Sequence, residues 1–348
     1  MKRIEKFNLD MISRYRGELF GISIIGIIIF HYFRRVTDHY DNGYLFELAD
    51  FYDNVICSVG VECFLFLSGM GLFFSMTKDS NPLRFYTKRL KRVLIPYAIW
   101  GGVFWIIRDL LFDKTSVARF LYDFSFLSFL TEGEKVIWYI FFIAVMYLVF
   151  PLVFKVLSIK KNAFAGFLVM LFVGMAIPIL VRLISPEIYE NIEIAVSRIP
   201  IFLLGAYYGK RIYNHDNIKT GDIILVILGI VFHIYSVLSR YEIIPTGTGL
   251  FRYEFALFSV SIIFIFVWLF SKIKWKPLHS ALKSVGVVSL ELYMTHVTID
   301  NLMRFCKIPT YEIWYYILCV ILSIIFSFLL HFALKNIIIK VGKAPNKI

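Results

Sequence analysis

Three ionisable residues stand inside long apolar stretches of the chain: His31, Glu62 and His296. His31 closes the uncharged run Gly21 to Phe30, Glu62 sits within the run Ser58 to Ser68, and His296 lies in a run near the C-terminal end. An ionisable side chain at membrane depth costs several kcal/mol unless it is paired or hydrated, so each marks a candidate functional position. An imidazole, with an unperturbed pKa of about 6.5, exchanges protons at working pH. An acidic partner would orient the ring and stabilise its cation. The chemistry within reach is general acid–base or nucleophilic catalysis by a buried His/acid pair. The plainer role of such groups is hydrogen bonding between helices, and His233 and His331 are read in that way.

Composition says what must position these residues. The 348 residues are 59% hydrophobic and 18% charged, with a mean hydropathy of +0.73. That is more apolar surface than a soluble chain of this length hides, and runs of about 20 apolar residues indicate an all-α, polytopic transmembrane helical bundle. About ten spans are expected, at 19–36, 55–76, 93–112, 136–157, 163–184, 196–212, 222–239, 250–271, 284–304 and 313–337. The first run lacks a small-x-small cleavage site and is followed by His-Tyr-Phe-Arg-Arg, so it is expected to stay as the first span. The short loops leave no room for a folded soluble domain, and residues 1–348 read as a single integral membrane domain with no fused extracytoplasmic part.

Lys and Arg choose the orientation. With the N-terminus inside, most of the 37 basic residues fall in cytoplasmic segments: Lys2, Arg3, Lys6, Arg14 and Arg16 ahead of the first span, Lys78 to Arg92 after the second, and later clusters down to Lys347. The first outer loop is acidic, with Asp38, Asp41, Glu47, Asp50 and Asp53. Both termini are therefore expected in the cytoplasm. The net charge of +12 is spread over short loops, which argues for orientation and anionic lipid as its partners and against nucleic acid. Cys57, Cys63, Cys306 and Cys319 have no metal-like spacing and read as small hydrophobes, with no metal expected.

At about 1.5 Å of rise per residue, His31 lies on the order of 18 Å from the inner start of its span and Glu62 about 10 Å from the outer end of its own. His296 falls in a similar band, with Tyr293 and Glu291 approaching from deeper in the same span and Arg198 at the outer end of the sixth. On the inner side, Lys88, Arg89, Lys91 and Arg92 form a dense patch, with Arg89 and Arg92 three apart on one helical face. Guanidinium groups suit phosphates; a stop-transfer cluster is the blander account.

Taken in order, these pieces resemble the acyltransferase-3 family of integral membrane acyltransferases over nearly the whole chain. Phe30-His31 is similar to the close of that family's first helix, Gly60 to Gly69 to its second-span signature, and Phe85 to Tyr97 to its basic segment with an Arg-x-x-Arg core. Weaker matches are Trp138-Tyr139, Arg198…Phe202…Gly205 and Ser289…Tyr293…His296. One position departs: the family's Arg eleven residues before the histidine is Phe20 here, with Arg16 one turn earlier. Either Arg16 stands in, or the donor is handled differently. The resemblance implies transfer of an acyl group, usually acetyl, from cytoplasmic acyl-CoA to a carbohydrate hydroxyl facing outward. It implies a multi-pass protein of a bacterial inner or plasma membrane. His31 is then the general base or transient acyl acceptor and Glu62 its orienting acid, while His296, Tyr293 or Arg198 stabilise the oxyanion. Arg89, Arg92 and Lys88, with Arg14 or Arg16, would dock the donor, and a separate extracytoplasmic protein could receive the acyl group. The competing readings are a transporter or flippase, against which no inverted repeat with matching broken helices is visible, and a non-catalytic scaffold.

Overall fold

Backbone in lipid must satisfy every N–H and C=O internally, and the chain meets that demand with helices. The computed structural model describes residues 7–56, 59–159, 162–241 and 251–342, and among these there is no strand. The fold is all-α. The principal helices are α1 (Arg16–Thr37), α2 (Val59–Lys78), α3 (Pro82–Pro96), α4 (Trp138–Ser158), α5 (Ala163–Ile184), α6 (Ile199–Tyr213), α7 (Thr220–Arg240), α8 (Phe251–Lys272), α9 (Lys276–Val287), α10 (Ser289–Phe305) and α11 (Ile313–Gly342). Cys57, Lys160, Lys161, Lys2, Arg3, Lys6, Lys343 and Lys347 lie outside the described residues.

Among the described residues nine helical segments are long and apolar enough to cross a membrane, and they coincide with nine of the ten expected spans. Three start ten or more residues earlier than the sequence suggests. The second runs Tyr44–Lys78, the third Pro82–Phe112 and the sixth Pro186–Tyr213. In the third, the basic segment is itself helical, opened by Asn81, whose side chain accepts from Arg84 N at 3.1 Å, and by Pro82 at the first position. Pro96 then brings no N–H to the ladder, and the next turn, Tyr97–Gly101, is π-helical, as is Ile106–Phe112. The expected span 284–304 is the exception. It is broken at Val288 into α9 and α10, and α10 is 17 residues long with Glu291, Asp300 and Arg304 in it.

The chain divides into two compact units. The first comprises Met1–Thr77, Val153–Met175 and Ser197–Val287. Its helices meet backbone to backbone at glycines. A Cβ at Gly21 would overlap the Leu282 carbonyl oxygen and one at Gly286 the Gly17 carbonyl oxygen, so α1 and α9 touch along a Gly17–Gly21 pair at small-xxx-small spacing. Gly69 meets the Phe202 carbonyl and Gly205 the Phe66 carbonyl in the same way, seating α2 on α6. Asp222 joins α6 to the start of α7, accepting from Tyr208 Oη at 2.7 Å and Arg211 Nη2 at 2.9 Å.

The second unit comprises Lys78–Leu152, Ala176–Val196 and Val288–Ile348. Here α10 and α11 pack together, with Thr295 Oγ1 donating to the Ser323 carbonyl at 3.0 Å. Between Asp113 and Ile137 the chain forms two short helices, Val117–Phe124 and Leu127–Thr131. Arg119 ties them, donating to Asp123 Oδ2 at 2.7 Å and to Glu132 at 2.9 Å. That guanidinium holds the Glu132 carboxyl below the usual carboxylate range.

Candidate functional site

In the first unit the central feature is a buried ion pair. Arg198 Nε donates to Glu62 Oε1 over 2.9 Å, with side-chain exposures of 8% and 1%. Pro200 sits in the first turn of α6, which starts at Ile199, so Arg198 stands just outside the helix as its N-cap residue. Glu62 comes from the first turn of α2. The sequence placed Glu62 as the partner of His31 and Arg198 as a possible addition; the side chains join Glu62 to Arg198. The second oxygen, Glu62 Oε2, is buried and makes no hydrogen bond among the described residues. His31 lies in the C-terminal part of α1, half-buried, with its ring centroid 5.5 Å from that of Phe30.

The departure at Phe20 has a structural answer. The Arg16 guanidinium rises along α1 to lie over the Phe20 ring, 5.2 Å from its centroid, and Phe20 in turn packs edge-on against Phe64 at 5.1 Å. Arg16 fits because residue 71 has no side chain: a Cβ there would stand 2.8 Å from Arg16 Cζ and overlap Nη2. A positive group therefore reaches the level of position 20 from one turn below. Arg14 is exposed at the end of the short helix Asp10–Arg14.

Sequence reasoning missed Glu18. It reads as part of the charged inner flank, yet its side chain is fully buried and Oε1 meets His279 Nδ1 at 2.9 Å and Lys283 Nζ at 3.3 Å, both on α9. Nothing in the sequence pairs residues this far apart. His233 has the plain role expected of it. Its ring bonds Glu254 Oε1 at 2.5 Å and the Val55 carbonyl at 2.8 Å, which caps the π-helical turn Tyr52–Ile56.

The second unit holds the other named residues. His296 is fully buried on α10 and its Nε2 lies 3.0 Å from Tyr316 Oη on α11. Tyr293, one turn earlier, packs its ring 5.2 Å from that of Tyr139. His331 Nδ1 bonds Glu291 Oε1 at 2.9 Å, again an interhelical pairing. Tyr316 went unnoticed because it stands in Ile313-Trp-Tyr-Tyr316, which reads as an aromatic belt at a span end. On α3, Phe85 stacks on Phe150 at 5.8 Å and Val93 is buried, which turns Lys88 and Arg92 outward and leaves Arg89 and Lys91 half-buried.

Buried guanidinium, carboxylate, imidazole and phenol groups in helices of membrane-spanning length, with a basic helix in the same chain, fit group transfer better than a passive lipid-embedded bundle. A family model described as an acyltransferase domain, that of the acyltransferase-3 family, matches residues 21–332, which takes in His31, Glu62, the basic helix, Arg198 and His296. No curated protein matches the chain. No solved structure matches it either. With nearly the whole chain covered, the protein belongs to the acyltransferase-3 family and is a multi-pass membrane acyltransferase.

Proposed function

We propose that this acyltransferase carries an acyl group, acetyl in the first instance, from cytoplasmic acyl-CoA to a hydroxyl of an extracytoplasmic carbohydrate of the bacterial cell envelope. The observation that carries the reading is the Glu62–Arg198 pair. Burying two charges costs several kcal/mol per ion, and well-packed apolar residues would serve a merely structural bundle at least as well. A pair kept under those terms is best explained by chemistry.

In the reaction His31 removes the proton of the acceptor hydroxyl as its oxygen attacks the thioester carbonyl. The C–S bond breaks, an ester C–O bond forms, and the proton passes to the departing thiolate. In the two-step version His31 first takes the acyl group and the acceptor then displaces it. Glu62, whose Oε2 makes no hydrogen bond among the described residues, is assigned to orient His31. Arg198, His296 or Tyr293 is assigned to the developing oxyanion. Lys88, Arg89 and Arg92 on α3 take the donor's phosphates, and Arg16, with Arg14 beside it in sequence, supplies the positive charge that position 20 lacks. A separate extracytoplasmic protein could accept the acyl group in place of the glycan.

Purified protein incubated with radiolabelled acetyl-CoA and a hydroxylated glycan should yield label on the glycan that mild alkali releases. Label that crosses the membrane without becoming covalently attached would establish transport and sink the reading. The role of Arg16 has its own check. Gly71→Ala should leave the fold intact, because the atoms in its way are the flexible end of an arginine. With the guanidinium displaced, the KM for acyl-CoA should rise about 3- to 10-fold, or roughly 1 kcal/mol, with kcat little changed. An unaltered KM would remove Arg16 from donor binding.

A further inference from the structure

The end of the third span carries charged groups that the second unit leaves only partly satisfied. We propose that Arg108 and Asp109 bind neighbouring hydroxyls of an uncharged sugar, with Phe112 and Phe305 against its apolar face, and that the glycan acceptor docks there. This deepens the functional reading above and rests on it.

Asp109 is 2% exposed. Its Oδ2 and the Nε of Arg108 are buried and make no hydrogen bond among the described residues. Charged groups left in that state are costly, so the arrangement calls for a partner. Arg108 Nε stands 3.8 Å from Asp109 Oδ1 and 3.9 Å from Asp113 Oδ2. Those distances are too long for hydrogen bonds and leave a place for a bridging group. The two open atoms differ in kind: a guanidinium N–H only donates and a carboxylate only accepts. An anion would suit Arg108 and be repelled by Asp109, and a cation the reverse. A hydroxyl both donates and accepts, so it suits both. Asp123, another buried carboxylate of this unit, is met from within the protein, accepting from Arg119 at 2.7 and 3.2 Å.

Arg108 is already held in place. Its Nη1 lies 2.7 Å from Glu134 Oε2, and its Cζ stands 4.9 Å from the Trp105 ring centroid and 5.8 Å from that of Phe305. A side chain fixed beforehand gives up little freedom on binding. Arg108 and Asp109 both belong to the π-helical segment Ile106–Phe112, and such widened turns are frequent at functional sites. Phe112 and Phe305 are exposed, with ring centroids 6.3 Å apart, and Phe305 closes α10. Aromatic surface beside a few placed polar groups is the usual make-up of a small-ligand site, and a sugar offers a C–H face and a hydroxyl edge to match. An aromatic belt is the plainer account of exposed rings at a span end, but it leaves the buried carboxylate unexplained. The basic helix opens this span, so by the positive-inside rule the opposite end is expected on the outer face, where the reading above puts the glycan.

The test is calorimetric titration of the full-length protein, without acyl-CoA, with maltotetraose and with chitotetraose, oligomers of glucose and of N-acetylglucosamine. Lipid nanodiscs replace alkyl glycoside detergents, whose headgroups are sugars. At least one oligosaccharide should bind saturably, and its fully O-methylated form should not. Asp109→Asn, which keeps the side chain's shape, should raise the Kd about 10- to 100-fold. Phe305→Ala should raise it about 3- to 10-fold and leave thermal unfolding unchanged, since the ring is exposed. In turnover, Asp109→Asn should raise the KM for the glycan and leave that for acyl-CoA unaltered. Binding of neither oligosaccharide, equal binding of the methylated form, or an affinity unmoved by Asp109→Asn would overturn the inference. Binding that Asp109→Asn weakens, in a protein that transfers no label to any glycan, would instead sink the acyl-transfer reading and leave the sugar site standing.

Discussion

His31→Ala lowers the rate of acyl transfer by about 10²- to 10⁴-fold, the range that a positioned general base contributes. The bundle should survive the change. The residue is half-buried near the C-terminal end of a helix whose packing onto α9 is set by Gly17 and Gly21, at the other end of α1. Steady-state assays with acyl-CoA and acceptor measure the effect, and wild-type turnover in the variant would remove His31 from the chemistry. The same variant separates the two versions of the reaction. If the acyl group passes through the imidazole, wild-type protein given donor without acceptor becomes labelled and the His31→Ala protein does not. If transfer is direct, neither protein is labelled and only turnover differs.

Arg198→Ala should destabilise the folded protein by about 3–5 kcal/mol, because it strands the Glu62 carboxylate in a site with 1% exposure. The informative comparison is with Glu62→Gln and with the double variant. A coupled pair makes Arg198→Ala worse than the double substitution, since removing both charges also removes the stranded one. Thermal unfolding in one detergent reads all three. A loss in the double variant equal to the sum of the two single losses would show that the pair contributes no coupling. Activity should be lost in every case, so stability and function part company here: the double variant is expected to be better folded than Arg198→Ala and no more active.

Much of this architecture was legible because lipid imposes a simple grammar. Nine spans announced themselves as apolar runs, and Glu62 announced itself as a charge inside one. Arg198 was visible as a charge at a span end, but Glu62 was assigned to His31, and its pairing with Arg198 is seen only in the structure. What escaped reading depended on partners distant in the chain. Glu18 belongs by sequence to a cytoplasmic flank and becomes buried only because α9 brings His279 and Lys283 to it. Arg16 was already a candidate to stand in at position 20, but the room that Gly71 leaves for its guanidinium was not visible. Tyr316 shares a hydrogen bond with a buried histidine, yet in sequence it is one more aromatic where aromatics are common. The break at Val288 was missed for a different reason. Hydropathy assumes that a span faces lipid, whereas most of the side chains of α10 are buried against protein.

That short helix decides a question of parity. A chain that crosses a bilayer an odd number of times ends on the face opposite to its start, and one that crosses an even number of times returns. The nine long apolar segments alone would send the two ends to opposite faces. Ser289–Phe305 rises about 26 Å at 1.5 Å per residue, close to the roughly 30 Å hydrocarbon thickness. Shielded by protein along most of its length, it can cross without being apolar. Counting it makes the total even and brings the basic C-terminal segment to the face where the basic N-terminal segment begins. The sidedness of the last helix, and of every residue numbered after 305, thus hangs on a 17-residue helix that is shorter than each of the nine long apolar segments.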